Sequence, residues 1–285
     1  MTVKRVGVVG SGIMGGGITE VAASAGLEVV LRSRELAAAE GTVGGIRRSL
    51  DKKVDKGALS AEERDEALRR ILATDNLHDL VGCDLVIESV VEDLPTKRHL
   101  FSELDRICDD ETILATNTST LPVVEMAMET GRPDKVCGIH FFNPAPVMAL
   151  VEIVRPITAS DETIAEAMAF AETCGKTAVR VKDQAGFVVN ALLFPYLNNA
   201  VRLLEQGVAS LEDIDEAMKG GCGFPMGPFA LLDLVGLDTS VAILDALYEE
   251  YRDHNYAAMP RLRRMVAAEL LGRKSGQGFY TYPRP

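Results

Sequence analysis

The chemistry is sought first in the stretch GIHFFNPAPVMALVEIV, where His140 and Glu152 lie in successive apolar runs, each six positions from Pro146. If the chain reverses about that proline, the two side chains face each other across an antiparallel strand pair. A histidine beside an ionised carboxylate is suited to acid/base work. The carboxylate accepts from one ring nitrogen, leaves the other to exchange a proton with a substrate, and favours the imidazolium once it forms. The same spacing would also serve a structural histidine bonded to a core glutamate, and the residues alone leave both readings open.

Other polar residues stand at positions that need an explanation. ATNTST, residues 115–120, ends an apolar run in small polar side chains, and Ser119 or Thr120 is suited to capping a following helix. Asn190 lies within the otherwise apolar GFVVNALL. A buried asparagine there must find hydrogen-bond partners, either in the core or on a ligand.

The segment Gly10, Ser11, Gly12, Ile13, Met14, Gly15 follows a short apolar run and opens a helical pattern. In that context the glycines suit a nucleotide pyrophosphate at a helix N-terminus: Gly10 for a tight turn, Gly12 for close backbone approach, Gly15 for helix-to-strand packing. Such folds usually end the second strand in a carboxylate that binds a ribose. Here EVVLRSRE offers Arg32, Ser33 and Arg34 instead.

These residues need a frame to hold them. Apolar runs at residues 5–9, 27–31, 84–90, 112–117, 135–142, 150–154 and 177–182 read as strands, and helical patterns separate most of them. The expected fold is α/β, a Rossmann-type, largely parallel sheet over residues 1–183. A helical hairpin, about residues 36–72, is expected to protrude from it; its charged part, 49–72, breaks at Gly57 and resumes at the capping sequence SAEE. After about residue 183 strand patterns vanish, and 184–285 reads as an all-α domain with long apolar faces, suited to substrate binding and dimerisation.

The 285 residues and 47% hydrophobic content suffice for one large core and one smaller one. A net charge of −12 disfavours non-specific nucleic-acid binding. No apolar run is long enough to span a membrane, and the N-terminal residues show no signal-peptide pattern, so a cytoplasmic location is expected. The five cysteines, with no CxxC pair, read as reduced core thiols, and no metal site is suggested.

The motifs GSGIMG, VVEDLPTK, TNTSTL, HFFNPAPVMALVEIV, KDQAGFVVNALL, GFPMGPFALLDLVGLD and GRKSGQGFYTY, in that order, span nearly the whole chain. Together they resemble the short-chain 3-hydroxyacyl-CoA dehydrogenases, including 3-hydroxybutyryl-CoA dehydrogenases. The resemblance implies reversible hydride transfer between a nicotinamide cofactor and C3 of a 3-hydroxyacyl-CoA thioester, in a homodimer. His140 becomes the acid/base and Glu152 its orienting partner, with Ser119 and Asn190 holding the reacting oxygen and the thioester. Gly10, Gly12, Ile13, Met14 and Gly15 would meet the cofactor, Glu92, Lys97, Asn117 and Lys274 would line its cleft, and Asn143 would lie near the nicotinamide. Ser49 and Lys56, in the hairpin, match positions associated with the nucleotide part of CoA.

One departure from the family pattern concerns the cofactor. NAD-linked members of such a family usually carry an acidic residue where this chain has Ser33. Its absence removes a charge that would repel a 2′-phosphate, and Arg32 and Arg34 can donate to one, so NADP(H) is expected over NAD(H). Solvated arginines with Ser33 bonded to a 2′-hydroxyl would be the alternative. Three other functions are weighed: a dehydrogenase acting on acyl-carrier-protein thioesters in extender-unit synthesis, a free hydroxy-acid or sugar-acid dehydrogenase, and a non-catalytic structural relative. The basic residues Lys52, Lys53, Lys56, Arg69 and Arg70 suit either CoA phosphates or an acidic carrier surface.

Overall fold

The computed structural model describes residues 3–283. Alternation of strands and helices builds an eight-stranded sheet in the first of two compact units, Met1–Asp183. Its strands are β1 (Arg5–Val9), β2 (Glu28–Arg32), β3 (Ile71–Thr74), β4 (Leu85–Glu88), β5 (Ile113–Thr116), β6 (Val136–Phe141), β7 (Leu150–Arg155) and β8 (Thr177–Lys182). They lie in the order β3-β2-β1-β4-β5-β6-β7-β8. Every adjacent pair is parallel except β6 and β7. The central strands β4, β5 and β6 are buried at every position, which explains why they read as continuous apolar runs rather than alternating ones.

The segment expected as a helical hairpin forms α2 (Leu36–Asp55) and α3 (Ala61–Arg69), joined through Gly57 at φ +69°. Ser60 and Glu63 form the reciprocal capping box that SAEE predicts. Two features differ from the expectation. The hairpin ends in a strand, because Ile71–Thr74 pairs with β2 as the sheet's outer edge. Its apolar stripe, Ala39, Ile46, Leu50, Ala67 and Leu68, is buried in the core of the sheet unit, so the hairpin is packed on that core along its length.

The second unit, Gln184–Pro285, is helical: α7 (Val189–Glu205), α8 (Leu211–Cys222), α9 (Pro228–Val235), α10 (Leu237–Tyr251) and α11 (Pro260–Ala267). Phe194, Leu197, Phe229, Leu232, Leu244 and Leu262 lie at its centre. Two buried carboxylates organise it. Asp215 accepts from the Phe229 and Ala230 N–H groups at the start of α9 and from the Tyr280 hydroxyl. Asp233 accepts from the Phe279 and Tyr280 N–H groups and the Tyr282 hydroxyl. The motif GRKSGQGFYTY is thereby stapled onto α9. Gly272 and Gly278 permit it, since a Cβ at either would fall within 2.3 Å of Asp233.

Four cysteines are core or near-core thiols: Cys83, Cys108 and Cys137 are buried and Cys174 partly so. Cys222, expected in the core, is exposed at the last residue of α8. Among the described residues, no helix is long and apolar enough to cross a membrane.

Candidate active site

The glycine turn runs from the end of β1 into α1 (Ile13–Ser24). Gly10 has φ +119°, and a Cβ there would sit 2.3 Å from the Ser89 carbonyl oxygen. A Cβ on Gly15 would fall 1.8 Å from the Gly10 carbonyl oxygen, so both positions exclude any side chain. Gly12, the N-cap, faces open space and leaves the helix start without a side-chain cap. Ile13 is largely exposed beside it and Met14 half-buried. An uncapped twelve-residue helix with nothing over its N-cap fits a pyrophosphate, whose oxygens the amides of the first turn can meet.

Ser33 follows β2 and receives a hydrogen bond from the Ser11 hydroxyl, 2.8 Å away, which ties the end of the second strand to the glycine turn. Arg32 donates its Nε–H to the Asp75 carbonyl, 3.3 Å away. Partial burial lowers its pKa, while Glu103 and Asp75 act the other way. Arg34 is exposed.

His140 and Glu152 are register partners in the antiparallel β6–β7 pair. His140 Nδ1 lies 2.8 Å from Glu152 Oε2, with the two residues 6% and 1% exposed. An ionised carboxylate can only accept, so opposite one Nδ1 carries the hydrogen. Phe142 packs against the imidazole with ring centroids 4.5 Å apart. The Phe141 N–H donates to Asn117 Oδ1, 2.9 Å away. Asn117, expected along the cofactor cleft, therefore also braces the strand that carries His140. Asn143 is exposed and precedes the cis bond to Pro144.

Lys97, expected along the cofactor cleft, is 1% exposed in α4 (Leu94–Ile107). Its ammonium donates to both oxygens of the fully buried Glu88, at 2.6 and 2.8 Å, and pairs with Glu92 Oε2 at 3.2 Å. An ammonium has three N–H donors, and these three oxygens account for them. Thr116 Oγ1 and the Val90 N–H complete the shell around Glu88. Glu92, more open to solvent, accepts from Thr118 Oγ1 at 2.5 Å and from the Ser119 N–H at 3.0 Å. Lys97 thus acts on the 116–119 loop through Glu92. Glu88 is the member that the sequence reading missed; an acid inside the apolar run DLVIESV was its signal.

Ser119 and Thr120 do not cap a helix. The next helix, α5 (Val123–Ala127), has its first N–H groups, on Val123 and Val124, bonded to the Asp183 carboxylate at 2.9 and 2.8 Å. That releases the Ser119 hydroxyl from capping, and Ser119 itself is partly exposed. Ser49 lies half-buried on α2, and Lys56 is exposed at its C-cap. In the helical unit Asn190 is buried in the first turn of α7. Lys274, half-exposed, is ion-paired with Asp238 at 2.5 Å.

The segment 5–184 matches the model of the 3-hydroxyacyl-CoA dehydrogenase NAD binding domain, and 186–282 that of the 3-hydroxyacyl-CoA dehydrogenase C-terminal domain. The chain belongs to the 3-hydroxyacyl-CoA dehydrogenase family. Among its relatives in that family, 3-hydroxybutyryl-CoA dehydrogenase of Mycobacterium tuberculosis is 48% identical over 282 residues, covering 98% of this chain and 99% of that protein. The mitochondrial hydroxyacyl-coenzyme A dehydrogenase of Sus scrofa is 44% identical, covering 98% of this chain and 91% of that one. The crystal structure of (S)-3-hydroxybutyryl-CoA dehydrogenase from Ralstonia eutropha superposes with a TM-score of 0.97 at 42% identity, covering 99% of this chain and all of that one. The 3-hydroxyacyl-CoA dehydrogenase fold is thus shared along the chain, with a nicotinamide nucleotide as the cofactor of its first domain.

Proposed function

We propose that the protein oxidises and reduces C3 of short 3-hydroxyacyl-CoA and 3-oxoacyl-CoA thioesters, with His140 as acid/base and Glu152 as its orienting partner. The observation that carries this reading is the buried 2.8 Å contact between His140 Nδ1 and Glu152 Oε2 in a chain of this family. When bound, the nicotinamide supplies the hydride donor or acceptor. In oxidation His140 takes the 3-hydroxyl proton at Nε2; in reduction the imidazolium returns it to the emerging alkoxide, while Glu152 offsets the ring's charge. Ser119 and Asn190 hold the reacting oxygen and the thioester, and Ser49 and Lys56 serve the CoA nucleotide.

Replacing His140 by Gln should lower kcat about 10²- to 10⁴-fold while leaving nucleotide binding and melting temperature nearly unchanged. Near-normal turnover of acetoacetyl-CoA by the folded variant would remove His140 from this role. The same assay with carrier-protein thioesters separates the CoA reading from the carrier one.

For the cofactor we read a preference for NADP(H), supported by the absence of a carboxylate at Ser33 and by the flanking Arg32 and Arg34. The expected result is a kcat/KM at least about tenfold higher with NADPH than with NADH, reversed in direction by Ser33→Asp. A clear preference of the unaltered enzyme for NADH defeats the reading. We also read the protein as a cytoplasmic homodimer. The exposed apolar residues Val188, Leu192, Leu203 and Val208 of the helical unit support the dimer, and sedimentation equilibrium tests it.

A further inference from the structure

Nothing in the reaction above uses Lys176, yet its contacts converge on the chain reversal between the base and its partner. Lys176 follows the C-terminal turn of α6 (Asp161–Thr173), where Gly175 has φ +69° and the Lys176 N–H returns to the Ala171 carbonyl. From there its ammonium donates to the Ala145 carbonyl at 2.7 Å and the Met148 carbonyl at 2.9 Å. Both acceptors belong to the loop that leaves β6 after His140 and enters β7 before Glu152.

The other contacts of that loop leave it little freedom. The Pro144 carbonyl accepts from the Val147 and Met148 N–H groups, and the Ala149 carbonyl accepts from the Thr177 N–H. From α1 Gly17 also approaches the loop: a Cβ there would lie 3.1 Å from Ala145 Cβ and 3.4 Å from Pro146 Cδ. The helix that opens at the glycine turn is therefore in close contact with the loop that Lys176 holds through its carbonyls. Beside the contact lies a cavity of about 300 Å³, lined by Glu20, Lys53, Pro146, Cys174 and Lys176 among others. Lys53 is taken up there by Glu20 at 2.7 Å, whereas Lys176 is spent on neutral carbonyls. Charge-assisted bonds of that kind fix geometry more firmly than neutral ones.

We propose that Lys176 is a positioning residue of the reaction: by clamping the Ala145 and Met148 carbonyls it sets the 143–148 segment, and with it Asn143, against the His140–Glu152 pair. The inference rests on the reading of His140 and Glu152 given above. The strand ladder holds that pair without help from Lys176, so loss of the clamp displaces the segment beside the base and leaves the base itself in place.

The test compares Lys176→Met with Lys176→Arg, whose guanidinium can donate to two carbonyls. The methionine variant should lose about 10- to 100-fold in kcat, as misplacement of a reacting group does, with the nucleotide Kd within about twofold of the parent. Arginine should restore most of the loss. In ¹⁵N spectra the Asn143 side-chain amide should shift or broaden in Lys176→Met while the His140 imidazole signals stay. If the methionine variant does not fold, Lys176→Gln takes its place with the same expected split. Parental kcat in Lys176→Met, or in Lys176→Gln where that replaces it, or an unmoved Asn143 amide, overturns the proposal. His140→Gln run in parallel separates the two ideas: an active His140→Gln defeats the underlying reading, whereas an inactive one beside a fully active Lys176→Met defeats the clamp alone.

Discussion

The sheet unit and the helical unit both bury carboxylates, and they use them differently. In the helical unit Asp215 and Asp233 are surrounded by backbone N–H groups and tyrosine hydroxyls, donors that keep their protons at neutral pH. Burial raises the Asp233 pKa, and the bonds from Tyr280, Phe279 and Tyr282 oppose that rise. In the sheet unit Glu88 and Glu152 face an ammonium and an imidazole. A carboxylate among non-titrating donors fastens chain segments together; one beside an imidazole can follow a proton. Burial alone does not separate these cases, since Asp233 and Glu152 are each 1% exposed.

The contrast can be broken most sharply at Glu152. Glu152→Gln keeps the shape and removes the charge, so kcat should fall about 10²- to 10⁴-fold with little change in melting temperature. If the variant loses stability and keeps its turnover, Glu152 belongs with the structural carboxylates. Asp233→Ala should do the opposite, orphaning the Phe279 and Tyr280 N–H groups at a cost of about 3 kcal/mol in urea unfolding. An unfolding free energy equal to the parent's would mean that the C-terminal staple holds nothing.

A smaller effect separates the units by their thiols. Burial pushes Cys83, Cys137 and Cys174 up to about 12 and Cys108 up to about 11, all in the sheet unit. Below those values the thiol keeps its proton, so at pH 8 only about one in 10³ to 10⁴ is thiolate. Iodoacetamide at pH 8 should therefore modify Cys222 of the helical unit first, and raising the pH should speed the others. Mass spectrometry showing Cys137 alkylated as fast as Cys222 would contradict this account of the core.

Much of this was legible in the residues because it was local. The glycine turn follows from a strand, three glycines and a helical pattern in sequence, and the His140–Glu152 pairing follows from two runs placed symmetrically about Pro146. What escaped was set by distant partners or by brevity. Ile71–Thr74 is four residues long and follows a helix with almost no break, so its apolar residues continued the helical spacing. The helix after TNTST is capped by Asp183, about 60 residues away, which no local cap rule reaches. The burial of Lys97 was not legible because it depends on Glu88, nine positions earlier and on a different element.

The hydroxyl pair of Ser11 and Ser33 has a consequence best put as a count of protons. Two hydroxyls bring two hydrogens, and the bond between them uses one, whichever residue donates. One is left over to give away. An ionised carboxylate at position 33 would bring none and could only receive, from ribose hydroxyls or from Ser11 itself. The end of the second strand thus differs in polarity from an acidic ribose site: it has a hydrogen to offer an arriving oxygen and keeps hydroxyl lone pairs that can accept one.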